Sequence, residues 1–270
     1  MLRHMTHGER QQGVVAPVAA AAVLALALAG AADVSLRAQV GGRGGGPAGP
    51  PPTPQAAAPI DLTGYWVSIV NEDWRWRMVT PPKGDFTSVP LNMAGQKAAN
   101  DWNEATDGSC LAFGGAALLR MPTRVHITWA DANTLKIETD NGEQTRLLHF
   151  DEAAKPAAAS LQGFSKARWV PSFARQGGGR GAPPVSGSLT SVTTNLSGGW
   201  LRRNGVPYSD KATVTEFFDR FPVPNGGEWF MVTTRVEDPT YLQRPWVTST
   251  HFRKESDGSK WHPAPCKPAA

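Results

Sequence analysis

From residue 63 onward, apolar and polar side chains alternate with a period of two, in short runs separated by turn residues. The runs fall at 63–70, 73–79, 124–130, 134–140, 143–150, 188–196, 212–220, 228–236 and 246–253. Each puts one mainly apolar face on one side of an extended chain, and only a sheet can bury such faces together. Tight connections punctuate the runs: Asn71-Glu72, Asp131-Ala132-Asn133, Asn141-Gly142 and Pro224-Asn225-Gly226-Gly227, with Asp257-Gly258 after the last. Asn-Gly is the strongest hairpin signal among them. Antiparallel strands with short hairpins in one domain predict an all-β fold, a sandwich or an up-and-down barrel of about 8–10 strands. A barrel has the advantage of leaving no sheet edge exposed. One helix is predicted, over 91–107 ("LNMAGQKAANDWNEATD"), covering one opening, and a short 3₁₀ turn at 238–242.

Ahead of this domain lies a different kind of sequence. Arg3 and Arg10 precede the uncharged run Val14 to Ala29, and small residues follow, ending in Leu36-Arg37-Ala38. That is the layout of a secretory signal peptide, residues 1–38, with cleavage expected after Ala38 and Ala29 or Ala32 as alternatives. The run of 16 residues is short for a membrane span, which needs about 20. A retained N-terminal anchor is the competing reading. Residues 39–60 are mostly Gly, Pro and Ala and read as a disordered linker. The barrel domain is placed at 61–266, with a Gly/Pro-rich loop at 175–187 and a short tail at 267–270. That loop lacks the Lys-Ser/Thr ending of a phosphate-binding loop.

Loss of residues 1–38 removes Arg3, Arg10 and Arg37 with Glu9 and Asp33, so the net charge of +4 falls to +3. With no Lys/Arg run beyond pairs such as Arg202-Arg203, nucleic acid is not an expected partner, nor is stable membrane insertion after cleavage. The two cysteines, Cys110 and Cys266, would meet an oxidising compartment after export, and a disulfide between them is expected. The expected location is the periplasm or the medium.

The first run opens "DLTGYW". Gly64-Tyr65-Trp66 resembles the Gly-x-Trp that begins the first strand of lipocalin-like barrels, and the chain is similar to secreted bacterial proteins that begin Asp-Leu-Thr-Gly-x-Trp. The likeness extends to "EDWRWRMVTPPKGD" (72–85), "VEDPTYL" (236–242) and "TSTHF" (248–252). It implies an antiparallel up-and-down barrel with one short covering helix. It also implies a Trp66 that plugs the closed end and a basic residue of the last strand, Arg253, packed over it.

The alternating faces then nominate residues. In 124–130, Val125, Ile127 and Trp129 oppose Arg124, His126 and Thr128. In 212–220, Glu216 shares a face with Val214 and Phe218, opposite Asp219. In 73–79, Trp74, Trp76 and Met78 oppose Asp73, Arg75 and Arg77. The usual antiparallel rule puts apolar faces inside. Ten tryptophans are many for core packing alone, and flat rings stack on ligands as well as on each other. The leading reading is a barrel that binds a small, partly apolar molecule in a Trp-lined cavity: ring-containing, and acidic if a cavity arginine faces it. Trp66, Trp74, Arg75, Trp76, Arg77, Trp129, Arg235 and His251 are the candidate contacts. The rival is a cofactor-independent lyase or isomerase in the same cavity. His126, Glu216 or Asp219 would be its acid–base groups, and an arginine such as Arg75 or Arg235 would face developing negative charge. A third is a structural, envelope-associated module. No local metal spacing, nucleophile motif or dinucleotide fingerprint occurs, so no cofactor is expected. An assembled site from His126, His251 and Glu216 is the one metal arrangement left open.

Overall fold

The computed structural model describes residues 50–107, 110–172, 186–224 and 227–266. The signal-peptide segment, residues 39–49 of the expected linker, 175–185 of the Gly/Pro-rich loop, the Asn225-Gly226 turn and the 267–270 tail lie outside the described residues. Nine strands close into a barrel: β1 (Gly64–Ile69), β2 (Arg124–Asp131), β3 (Thr134–Thr139), β4 (Thr145–His149), β5 (Phe164–Ser172), β6 (Ser186–Thr194), β7 (Thr213–Pro222), β8 (Glu228–Glu237) and β9 (Trp246–Lys254). Neighbours in sequence are neighbours in the sheet, and β9 returns to β1 through pairs such as Trp66 with Lys254. An odd number of strands cannot alternate direction all the way round. One pair has to be parallel, and it is β4 with β5, through Leu148 with Ser165 and His149 with Lys166. Residues 150–163 make the long return that a parallel neighbour requires.

Eight of the nine expected runs are barrel strands. The ninth, 73–79, is corrected: Trp74–Arg77 is one turn of α-helix (α1). Asp73 enters it at φ 52°, which breaks the extended path. Tertiary hydrogen bonds hold the turn. Trp76 Nε1 donates to Asp85 at 3.0 Å and Arg77 Nε to the Arg120 carbonyl at 2.8 Å. The ninth barrel strand is instead β5, where Lys166 and Arg168 do alternate with inward residues but the first of those, Ser165 and Ala167, are polar or small and give no apolar period. The expected helix is present as α2 (Met93–Asp101), capped by Asn92, whose side chain accepts from Gly95 N, and followed by a 3₁₀ turn at Glu104–Thr106. Residues 239–241 form a turn rather than the expected 3₁₀ helix.

The interior is filled, in three levels. The central core holds Trp66, Ile127, Ile137, Leu148, Phe218 and Phe230, all fully buried. Toward the far end Trp129, Phe150 and Trp169 pack against it together with Ile60. Trp169 Nε1 donates to the Pro54 carbonyl, so residues 50–60 lie against this end of the barrel. The opposite end is plugged by a second core, in which Leu91 and Ala99 meet Leu201, Val206, Tyr208 and Trp246. A two-stranded ribbon, Gly199–Arg202 with Val206–Tyr208, carries part of it. Between the two cores runs a polar level. Along β7 the inward residues are Val214, Glu216, Phe218; along β8, Val236, Thr234, Val232; along β6, Leu189, Ser191, Thr193. Each strand passes through one or two polar side chains between its apolar ones.

The Cys110–Cys266 disulfide is present. It ties the C-terminal strand Ala264–Pro265, which pairs parallel with Asn141–Gly142, to a 3₁₀ turn at Cys110–Phe113. Gly142 has φ +89°, and a Cβ there would lie 2.2 Å from the Phe113 ring, so glycine is required twice over.

Candidate functional site

Burial matches the alternation in the strands that carry candidate residues. Glu216 points inward between Val214 and Phe218 and is 1% exposed. Arg146 of β4 meets it in a forked pair, Nη1 to Oε1 at 3.0 Å and Nη2 to Oε2 at 2.7 Å. Ser191 also donates to Glu216 Oε2, and Thr193 and Ser165 take up Arg146 Nη2. Glu216 is therefore held as a charge partner inside the wall. Asp219 lies on the opposite face of β7, half-buried, and burial raises its pKa above the ordinary carboxylate value. His126 lies on the outside of β2, stacked flat on Tyr65 at 4.1 Å with the Trp261 ring edge-on to both, and its Nδ1 is 3.5 Å from Glu138. The structure does not bring His126, Glu216 and Asp219 together.

The tryptophans are likewise dispersed. Trp66 is fully buried, with Nε1 bonded to the Leu62 carbonyl and its ring beneath Lys254 Nζ at 4.4 Å. The basic residue over Trp66 is thus Lys254 and not Arg253, because Arg253 falls on the exposed face of β9. Trp74 is 65% exposed. Trp76 has two guanidinium groups near its ring, Arg75 at 5.2 Å and Arg202 at 4.7 Å. Trp129 belongs to the far-end cluster. Arg235 pairs with Glu237 of its own strand on the outer face. Arg75 is also outside, 4.0 Å from Asp85.

Two candidate residues do converge, at the plugged end. Glu72 pairs with Arg77 through Nη1 at 3.3 Å and with His251 through Nδ1. Arg77, only 4% exposed, reaches further, to the Ser68 hydroxyl and the Arg120 carbonyl. Burial, with the cation of Arg120 next to it, lowers the Arg77 pKa to about 10. The residues that complete this end, Arg120 and Arg202, sit in a 3₁₀ turn and a short ribbon, where no periodic signal marks them. The one hint was a lone arginine in the apolar stretch "AALLRMP".

Outside the barrel, a groove of about 490 Å³ runs beside the ends of β1 and β2. Val67, Val70, Met78 and Pro122 give it apolar walls, and Ser68, Thr123, Asn141 and His262 bring polar groups to it. Arg124 also lines it but is occupied by Glu255, at 2.9 Å from Nε. The C-terminal segment held by the disulfide forms one side through His262 and Ala264. Among the described residues no three His, Cys, Asp or Glu side chains gather as a metal site, and no helix is long and apolar enough to cross a membrane.

Fold and site together define a closed nine-stranded β-barrel with a filled interior. No protein-family model matches the chain, and no curated protein or solved structure matches it at the significance required.

Proposed function

We propose that the protein is an exported barrel that binds a small, partly apolar, ring-containing molecule, and that the groove beside β1 and β2 holds it rather than the barrel interior. The observation that carries this reading is the groove itself. Its volume of about 490 Å³ lies within the range of small-molecule sites, and apolar walls surround a few convergent polar groups, the usual make-up of such sites. The disulfide supports export, since such bonds persist in oxidising compartments. The filled interior serves as a rigid support, and the tail strand clamped by Cys266 keeps one wall of the groove in place. The acid–base alternative loses ground because its three titratable residues stand apart.

The test is native beside denaturing mass spectrometry of the protein produced by export. A mass excess that disappears on denaturation is expected, and Met78→Glu, at an exposed position of the groove, should abolish it without changing Tm. Retention of the excess by this variant would place the guest elsewhere. No excess, together with no uptake from a set of small aromatic compounds, would overturn the reading.

A further inference from the structure

Four arginines line one small cavity at the plugged end: Arg77, Arg120, Arg202 and Arg203, with Trp76 and Ala117 beside them. The cavity measures about 20 Å³ and is separate from the groove described above. Arg120 is 5% exposed and Arg202 4%. Arg120 Nη2 donates to Asp73 at 2.8 Å, and its guanidinium lies 4.9 Å over Trp246. Arg202 Nη2 donates to the Thr87 carbonyl and the Ser88 hydroxyl. Arg203 Nη2 donates to the Arg77 carbonyl. That leaves Arg120 Nη1 and Arg202 Nε, both buried, without a hydrogen-bond partner among the described residues.

Charge points the same way as geometry. The carboxylates facing these arginines are Glu72, Asp73 and Asp85. The three buried arginines, Arg77, Arg120 and Arg202, face these three carboxylates, while the half-buried Arg203 adds a cation, Arg75, 4.0 Å from Asp85, adds another, and His251 competes for Glu72. Asp85 is further committed to the Trp76 indole and the Thr87 backbone. Arginine does not shed its proton at neutral pH, so the cluster stays cationic and favours an anion beside its two unpartnered N–H groups. A water molecule could accept the two free N–H groups but would leave the charge unmet.

We propose that this cavity binds one small monovalent anion, a halide or the carboxylate head of a small acid, between Arg120 Nη1 and Arg202 Nε. The small volume disfavours a bulkier anion such as phosphate. The site stands independently of the groove, and either can exist without the other.

The test uses the exported protein in sodium chloride, bromide, acetate or gluconate at equal ionic strength. At about tenfold above the dissociation constant, a binding anion should raise Tm by roughly 3–6 °C over gluconate, growing with the logarithm of its concentration. Bromide-soaked crystals should show an anomalous peak in the cavity. A response to bromide assigns a halide; a response to acetate without one to bromide assigns a carboxylate head. Ala117→Val fills the cavity from its wall while keeping every arginine, and should match wild type in gluconate but lose the salt response. Should that variant fail to fold, Arg202→Gln, which removes one charge and the Nε donor, must flatten the same titration. Equal Tm in all four salts, full responses in both variants, or bromide found only at other places, an adventitious ion only, would overturn the proposal.

Discussion

The protein buries arginine in two ways. In the polar level of the barrel, Arg146 is answered by one carboxylate, Glu216, through two parallel hydrogen bonds, with serine and threonine hydroxyls around them. At the plugged end, four arginines share three carboxylates and leave free N–H groups around a cavity. Arg146 also keeps one unpartnered nitrogen, Nε, but its charge is matched. The difference teaches that a buried arginine becomes a candidate site through excess charge and open space, not through burial alone. A matched pair sealed between two apolar layers is architecture.

The largest expected effect tests the matched pair. Glu216→Leu alone leaves Arg146 charged and unanswered, and should cost about 3–5 kcal/mol in urea unfolding. Arg146→Met combined with Glu216→Leu should recover most of that loss, since replacing both partners by apolar groups removes the stranded charge. If the double variant were no better than the single one, the pair would not be the isolated unit described here.

Next in size is the disulfide. Cys110→Ser with Cys266→Ser should lower stability by about 2–4 kcal/mol. Hydrogen exchange should rise first at the Ala264 amide and in Asn141–Gly142, the parallel ribbon that the bridge secures. Smaller again is Lys254→Met. It removes the cation over Trp66 and its hydrogen bond to the Thr63 carbonyl, and should cost about 1 kcal/mol.

The smallest effect concerns acid. Burial tends to raise the Asp85 carboxyl, but the hydrogen bonds from Trp76 and Thr87 outweigh it and hold the pKa below its ordinary 3.8. Its folded value is depressed, so its contribution is present above pH 3.8 and is lost as pH falls through the folded value. Asp85→Asn should therefore flatten the acid limb of the stability profile below that pH. It should also sharpen the contrast between the two regions, since one carboxylate fewer raises the excess at the arginine cavity and should tighten anion binding there.

Much of the barrel was legible because a two-residue period survives in sequence wherever one face is buried. Val214, Glu216 and Phe218 share a face in the sequence and share the interior in the structure. The same reasoning had a partner available in Arg146, two residues before the buried Leu148, yet which strands meet across a barrel is not written in local order. The stretch "EDWRWRMV" shows the limit. It alternates as a strand would, but the left-handed Asp73 and the tertiary bonds of Trp76 and Arg77 fold it into a helical turn. Of the candidate site, Arg77 and His251 were marked and do meet at Glu72. Arg120 and Arg202 were not, because irregular segments carry no period to betray what they bury. Tryptophan abundance has a further use in this structure. Trp66, Trp76 and Trp246 each have a cation of this same chain lying over the ring.

The central claim is that the barrel interior is packed and that small molecules bind outside it. Xenon-pressurised crystals test this most directly, because xenon enters dry apolar voids. The account predicts no xenon within the ring of Trp66, Phe218, Phe230 and Phe252. Xenon at substantial occupancy among those side chains would reveal an internal cavity and would contradict it.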